Sequence, residues 1–323
     1  MAADLTGSVT APRAHRARGT VYILVASVAF GSSGPLAKPA MEAGLSPEHV
    51  ASARAGLAAV VLLVAVAVFR PALLKVRRGQ WRLLIAYGLV GVAAVQVLFF
   101  LAVSRLPVGV AMLLEYMSPV LVALWVRFVR KVRLPVLSWI GTLLAIGGLV
   151  MVAQVWEGLR LDAIGLLAGA GAALCSAAYY LLGERGASEH HPIGMVTWGM
   201  VVGALGVFVI APPWTFPTAP LDVAAEFGPW QPPVWTLLVT VAIVSTAIAY
   251  TLSISSLRHL PSTVASVLAL SEPIVATALA WLLLGESLSP VQIAGMVILL
   301  SGAMLVQLAS RGPVTPSDPL PSD

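Results

Sequence analysis

Apolar residues run for about 20 positions at a time along this chain, and short polar or charged connectors separate the runs. A helix of about 20 apolar residues crosses a bilayer, because only a helix or a closed barrel satisfies every backbone group inside hydrocarbon. The pattern predicts ten such helices, at roughly 20–41, 50–70, 82–104, 107–129, 135–155, 161–182, 193–211, 233–257, 261–284 and 288–309. Pro107, Pro135, Pro261 and Pro290 fall near predicted starts, where proline costs least. Gly141, Gly147 and Gly148 in the fifth span, and Gly165, Gly169 and Gly171 in the sixth, offer surfaces on which helices approach closely in lipid.

The runs repeat. Moved by 154 positions, Pro107 lands on Pro261, Pro119 on Pro273, Gly141 on Gly295 and Gly148 on Gly302. Leu106, Val110, Ala111 and Leu114 fall likewise on Leu260, Val264, Ala265 and Leu268. One indel is needed near Pro135, whose counterpart is Pro290. Each half holds five spans, an odd number, so the second half enters the membrane opposite to the first. The expected fold is therefore an all-α membrane protein of two inverted five-helix repeats, the usual build of a carrier that rocks one repeat against the other. The boundaries expected are 1–18 for a basic N-terminal segment, 19–156 and 157–309 for the repeats, and 310–323 for a disordered tail.

Composition agrees with burial in lipid. The 323 residues are 59% hydrophobic and 10% charged, against about 25% charged in soluble domains. The basic balance, net +5, points away from nucleic acid because the cations sit in short connectors. With the N-terminus cytoplasmic, 15 of the 19 Lys and Arg residues fall on the inner side, leaving Lys38, Arg54, Arg105 and Arg160. The connector 212–232 has Asp222 and Glu226 but no Lys or Arg, so both termini are expected on the cytoplasmic face; the composition, rich in Ala, Val and Leu, suggests a bacterial inner membrane. The single Cys175 excludes an intrachain disulfide framework and is expected to pack as a small hydrophobe.

Two carboxylates stand within predicted spans. Glu115 lies near the middle of the fourth and Glu272 near the middle of the ninth, and each precedes a proline, Pro119 or Pro273, that leaves carbonyls unpaired in the preceding turn. Ionisable groups in a membrane are costly, so the default expectation is function: contact with a solute, or loading and release of a proton. The alternative is that Glu272 only ties helices together. The two are not repeat mates, since Glu272 maps to Ser118 and Glu115 to Ala269. Lys38 and Arg54 are the nearest counter-charges in the pattern; an interfacial anchor is the favoured reading of both, with contact to a substrate carboxylate as the competing reading for Arg54. Gly31-Ser32-Ser33-Gly34-Pro35 reads as a hinge in the first span, with Ser32 and Ser33 lining a cavity. Gln96 and its approximate counterpart Tyr250 are further polar candidates, as is Tyr116; Tyr179 and Tyr180 are expected in an interfacial aromatic belt.

All five histidines lie in connectors or at span edges, and no phosphate-binding glycine loop is present. No enzyme, metal, nucleotide or other cofactor is therefore expected, although a membrane enzyme and a channel or scaffold stay open as alternatives.

The stretch from Ala247 to Leu305 closely resembles the second repeat of the EamA-type drug/metabolite transporters, in Leu260-Pro261, Glu272-Pro273, Gly285-Glu286 and the glycine-bearing last span. Phe30-Gly31-Ser32-Ser33 and Leu114-Glu115-Tyr116-Met117-Ser118-Pro119 match the first repeat, so the resemblance runs from about Gly19 to Leu308. It implies a secondary carrier for a small organic solute, amino-acid-like or drug-like, working by efflux. It also implies that spans one, three, four, six, eight and nine wall a central cavity. The surroundings of Glu115 look like those of amino-acid-exporting members. Proton coupling and homodimer formation are left open.

Overall fold

The computed structural model describes residues 13–76, 78–131, 134–154, 162–189, 191–256, 259–260 and 268–309. The segment before residue 13, Arg77, Arg133, Arg160, His190, Arg258, the Pro261 start of the ninth predicted span (with Val264 and Ala265) and the tail from residue 310 lie outside the described residues.

Among the described residues, nine helical stretches are long and apolar enough to cross a membrane. They are α1 (Ala17–Glu42), α2 (Pro47–Phe69), α3 (Trp81–Val103), α4 (Val108–Phe128), α5 (Val136–Ala153), α6 (Ala163–Gly183), α7 (Ile193–Ile210), α8 (Val234–Ser253) and α10 (Pro290–Ala309). A shorter apolar helix, α9 (Ser271–Leu284), falls within the ninth predicted span. β-pairing among the described residues is limited to two isolated bridges, Ala224 with Pro233 and Phe227 with Trp230. Large side chains such as Val64, Leu143, Leu167, Val209 and Trp281 point outward. An apolar surface of that extent is at home against lipid rather than water.

Local chemistry sets the ends. Pro47 opens α2 behind Ser46, whose hydroxyl accepts from the His49 N–H, and Pro107, Pro135 and Pro233 stand immediately before α4, α5 and α8. At the end of α9, Gly285 takes a left-handed conformation (φ 67°), which only glycine adopts without strain. The chain turns there and the Glu286 N–H bonds back to the Ala280 carbonyl.

Several stretches are interrupted at matching places. The helix of α1 breaks at Ser32, that of α4 at Tyr116–Met117, and α9 begins just after a turn at Leu270, the repeat mate of Tyr116. Pro35, Pro119 and Pro273 lie two or three residues beyond these breaks. Each lacks the N–H that would have bonded the carbonyl of Gly31, Glu115 or Ala269. In addition, α3 and α8 each contain a six-residue π-helical turn, Leu89–Ala94 and Ile243–Ile248. The two turns coincide under the 154-residue shift.

Packing follows the same correspondence. The most extensive contact joins α5 to α10. There a Cβ on Gly148 would come within 2.4 Å of the Leu299 nitrogen and 2.6 Å of the Gly295 oxygen, and one on Gly302 within 2.5 Å of the Gly141 oxygen. Gly141 meets the repeat mate of Gly148, and Gly148 meets the repeat mate of Gly141. The contact of α3 with α6 is matched by that of α8 with α1, and α4 on α6 by α9 on α1. Phe100, Leu113, Val108, Val110 and Ala111 form the centre of the main core, where α1, α3, α4 and α9 meet.

Candidate functional site

Arg54 is the deepest charge in the fold, with 7% of its surface exposed. Its Nε donates to Thr246 Oγ1 at 2.7 Å and Nη1 to Ser33 Oγ at 2.7 Å, while Nη2 reaches the Ser245 carbonyl at 3.5 Å. The Phe100 ring lies 5.4 Å from the guanidinium carbon, a cation–π distance. Its partners on α8 come from the π turn. Thr246 Oγ1 donates onward to the Val241 carbonyl, five residues back, so its lone pairs face Arg54. The Ser32 hydroxyl donates to the Ala29 carbonyl, which leaves Ser245 as the donor in the 2.8 Å contact between the two serine hydroxyls. The kinked part of α1 and the π turn of α8 thus hold one cation between them.

Glu272 and Tyr116 meet across α9 and α4, with the phenol oxygen 2.7 Å from Glu272 Oε2 and 3.1 Å from the Ala269 carbonyl. That carbonyl is the one Pro273 leaves unpaired. Glu115, one residue before Tyr116, makes no hydrogen bond to a described side chain, and Arg54 lies within electrostatic reach of Glu115, Glu272 and Tyr250. Tyr250 packs edge-on against Phe30 at 4.9 Å, and Tyr179 stacks on Tyr87 at 4.9 Å. A Cβ on Gly91, in the π turn of α3, would sit 2.8 Å from the Tyr179 ring, so that turn makes room for the stack. Ser33, Ser245 and Thr246 are buried, whereas Ser32, Glu115, Tyr116, Tyr250 and Glu272 are half-buried. Tyr180 keeps 53% of its surface and still lies within electrostatic reach of both glutamates. The cluster runs from buried Arg54 to Tyr180, the most exposed of its side chains.

A second charged group closes the opposite end. The Lys38 ammonium pairs with Glu286 Oε1 and donates to the Leu106 carbonyl at 3.2 Å. Glu286 Oε2 accepts from the Val108 N–H at 2.8 Å, capping the first turn of α4. One ion pair therefore ties α1, α4 and the end of α9. Near it, Arg105 and Asp162 form a more exposed pair, and the Gly228 N–H reaches from the connector after α7 to the Leu283 carbonyl at 2.7 Å.

Of the residues singled out from sequence, Ser32, Ser33, Glu115, Tyr116, Tyr250 and Glu272 come together, and the hinge residues Gly34, Pro35, Pro119 and Pro273 flank the breaks that carry them. Gln96 does not join them. It is buried against Met200 Sδ at 3.9 Å on α7, and its Oε1 has no partner among the described residues. Three expectations are corrected. Arg54 is no interfacial anchor, because it sits two turns into α2 on the face that carries buried Val50, Ala51 and Ala58. Lys38 does not reach out to an interface, because Glu286 and Leu106 hold it. Tyr179 likewise stacks inside the helices instead of joining a belt. Ser245, Thr246 and Phe100 were not foreseen. The one available signal was the adjacent Ser245-Thr246 pair in the middle of α8.

The sequence profile of the EamA-like transporter family matches residues 17–154 and 163–308. The chain is 30% identical over 292 residues to the threonine/homoserine exporter RhtA of Escherichia coli (strain K12), covering 90% of this chain and 92% of that one. It is 24% identical over 302 residues to an uncharacterized inner membrane transporter, YicL, of Salmonella typhimurium, covering 91% and 96%. A solved crystal structure superposes with a TM-score of 0.60 over 91% of this chain and 98% of the other, at 20% identity, a likeness of fold alone.

Proposed function

The chain belongs to the EamA-like transporter family, and from that membership we propose that it exports a small amino-acid-like solute across a bacterial inner membrane by alternating access. As a multi-pass membrane transporter it is not an enzyme. The observation that carries the solute class is the charged cluster itself. A guanidinium and two carboxylates lie within electrostatic reach of one another, beside hydroxyls and aromatic rings, on helices broken at that level. Such a set suits a zwitterion, which brings one charge of each sign. The similarity to a threonine/homoserine exporter supports the same class and the outward direction. Drug-like solutes are the second reading, favoured by the Tyr87, Tyr179, Tyr180 and Tyr250 rings.

The ten spans form two inverted repeats, 19–156 and 157–309, in this account. The support is the reciprocal meeting of Gly141 with Gly302 and Gly148 with Gly295, which requires α5 and α10 to cross antiparallel about a twofold axis between them. The distribution of Lys and Arg supports an orientation with both termini in the cytoplasm, which would set the Lys38–Glu286 pair on the outer side. In that orientation the outer end is latched and Tyr180 lies toward the cytoplasmic end of α6.

Proton coupling has a stereochemical basis at Tyr116. A phenol has one proton to donate. When Glu272 is ionised, that proton goes to the carboxylate and the Ala269 carbonyl loses its donor. When Glu272 is protonated, the carboxyl donates to the phenol and the phenol donates to Ala269, so both contacts are made. Protonation thus reconnects α4 to the break in α9.

Flux of L-threonine and L-homoserine from proteoliposomes, with and without a pH gradient, tests these readings. Saturable efflux that rises with an inward proton gradient is expected. Gradient-independent flux would remove the coupling and leave carriage intact; non-saturable flux would mark a channel.

A further inference from the structure

Arg54 is a buried cation with no carboxylate within ion-pairing distance among the described residues. Burying an unpaired guanidinium is expensive, and proteins rarely retain one without a counter-ion. Its five N–H groups are not all used. Thr246 takes the one on Nε, Ser33 one on Nη1, and the Ser245 carbonyl one on Nη2 at long range. One N–H on each terminal nitrogen is left over. An N–H from each of the two terminal nitrogens is what a guanidinium offers a carboxylate in two parallel hydrogen bonds. The used donors also fix the plane of the group, because Ser33 stands on α1 and Thr246 on the π turn of α8, with Phe100 beneath. A guanidinium held on three sides by neutral oxygens keeps its full charge and a set orientation for a ligand.

We propose that Arg54 is the carboxylate anchor of the solute site and that Ser33 and Thr246 are its positioning residues. The solute class narrows accordingly to compounds with a free carboxylate, and an α-ammonium on the same molecule falls to Glu115, which has no hydrogen-bond partner among the described side chains. This assignment rests on the amino-acid reading above. It adds that the fork selects the carboxylate itself, not merely a polar solute. It also gives the anchor a conformational role, since a ligand on Arg54 bears on α1, α2 and α8 at once, where the kink and the π turn allow movement.

Binding of L-threonine and of L-threoninamide, which retains the ammonium and side chain but lacks the carboxylate, to the purified full-length protein in lipid nanodiscs separates the possibilities. The wild type is expected to bind the acid at least about tenfold more tightly than the amide, in line with the loss of a charge-assisted bidentate contact. Arg54→Gln should bring that ratio to within about twofold of unity. Arg54→Lys should leave an intermediate ratio, because an ammonium supplies charge without the fork. Ser33→Ala with Thr246→Ala, which touches no charge, should reduce the ratio partway and keeps the test open if Arg54→Gln does not fold. Equal binding of acid and amide by the wild type overturns the anchor while leaving amino-acid carriage standing. A ratio unchanged in Arg54→Gln, with both ligands weakened alike, overturns it in favour of a structural role. Failure of the wild type to bind either compound removes the amino-acid reading, and the anchor with it.

Discussion

Proteoliposomes carrying the Glu115→Gln/Glu272→Gln double variant are expected to lose at least about a hundredfold of wild-type amino-acid flux while the protein remains folded. Glutamine has the shape of glutamate and keeps an acceptor oxygen, so the contact that Tyr116 makes at position 272 survives the exchange. What disappears is charge. A hydrogen bond to an ionised group contributes about 1.5–3 kcal/mol, which is roughly a 10- to 150-fold change in affinity per site. The single variants separate two roles. Glu115→Gln should weaken affinity for the solute, since this carboxylate is left for the ligand's ammonium. Glu272→Gln should abolish the response to a proton gradient and retain exchange of solute for solute, because the Tyr116 relay then has a fixed donor pattern. Flux equal to wild type in the double variant would remove both carboxylates from the mechanism.

The second large effect is on stability. Gly147 and Gly148 are neighbours on α5, yet substitution by alanine is expected to act in opposite directions. A Cβ on Gly148 would press on backbone atoms of α10, 2.4 Å from Leu299 N, 2.6 Å from Gly295 O and 2.8 Å from Leu299 Cα. Backbone cannot yield as a side chain can, so the helices must separate, and overpacking of this kind costs about 1–3 kcal/mol or more. A Cβ on Gly147 meets nothing within 4 Å. Gly147→Ala should therefore be neutral or should stabilise by up to about 1 kcal/mol, the difference in helix propensity between the two residues. Thermal unfolding in detergent, followed by loss of the monodisperse chromatographic peak, reads both. If the two variants melt together, the close crossing of α5 and α10 is not a determinant of stability.

The small-residue faces of that crossing were legible in the sequence because helix length and the spacing of small residues are local properties; that α5 meets α10 was not. Gly141, Gly148, Gly295 and Gly302 mark those faces by their spacing within each repeat and their 154-residue shift between repeats. The breaks near Pro35, Pro119 and Pro273 were legible for a similar reason: a missing N–H acts on its own helix. The destination of Arg54 was not. Its neighbours Ala51, Ser52 and Ala55 describe a closely packed face, but its partner Thr246 stands 192 positions away. Thr246 is turned toward it by a π insertion, and beyond its Ser-Thr pair nothing in Ile243–Ile248 marks that insertion in sequence. Lys38 presents the same difficulty. A lysine near a span's end commonly reaches for water, and only the left-handed turn at Gly285 brings Glu286, 248 positions on, to meet it. Gln96 shows the opposite case, where a polar residue inside a span packs against Met200 apart from the cluster.

The measurement that bears most directly on alternating access is a reversible lock on the outer latch. In a Cys175→Ser background, cysteines replacing Lys38 and Glu286 would be joined by a short bifunctional thiol reagent whose linker is cleaved by reductant. The account predicts that the unbridged double variant still carries amino acid, that bridging stops flux, and that reductant restores it. Flux continuing undiminished across the bridged protein would contradict a cycle in which the Lys38–Glu286 end must open.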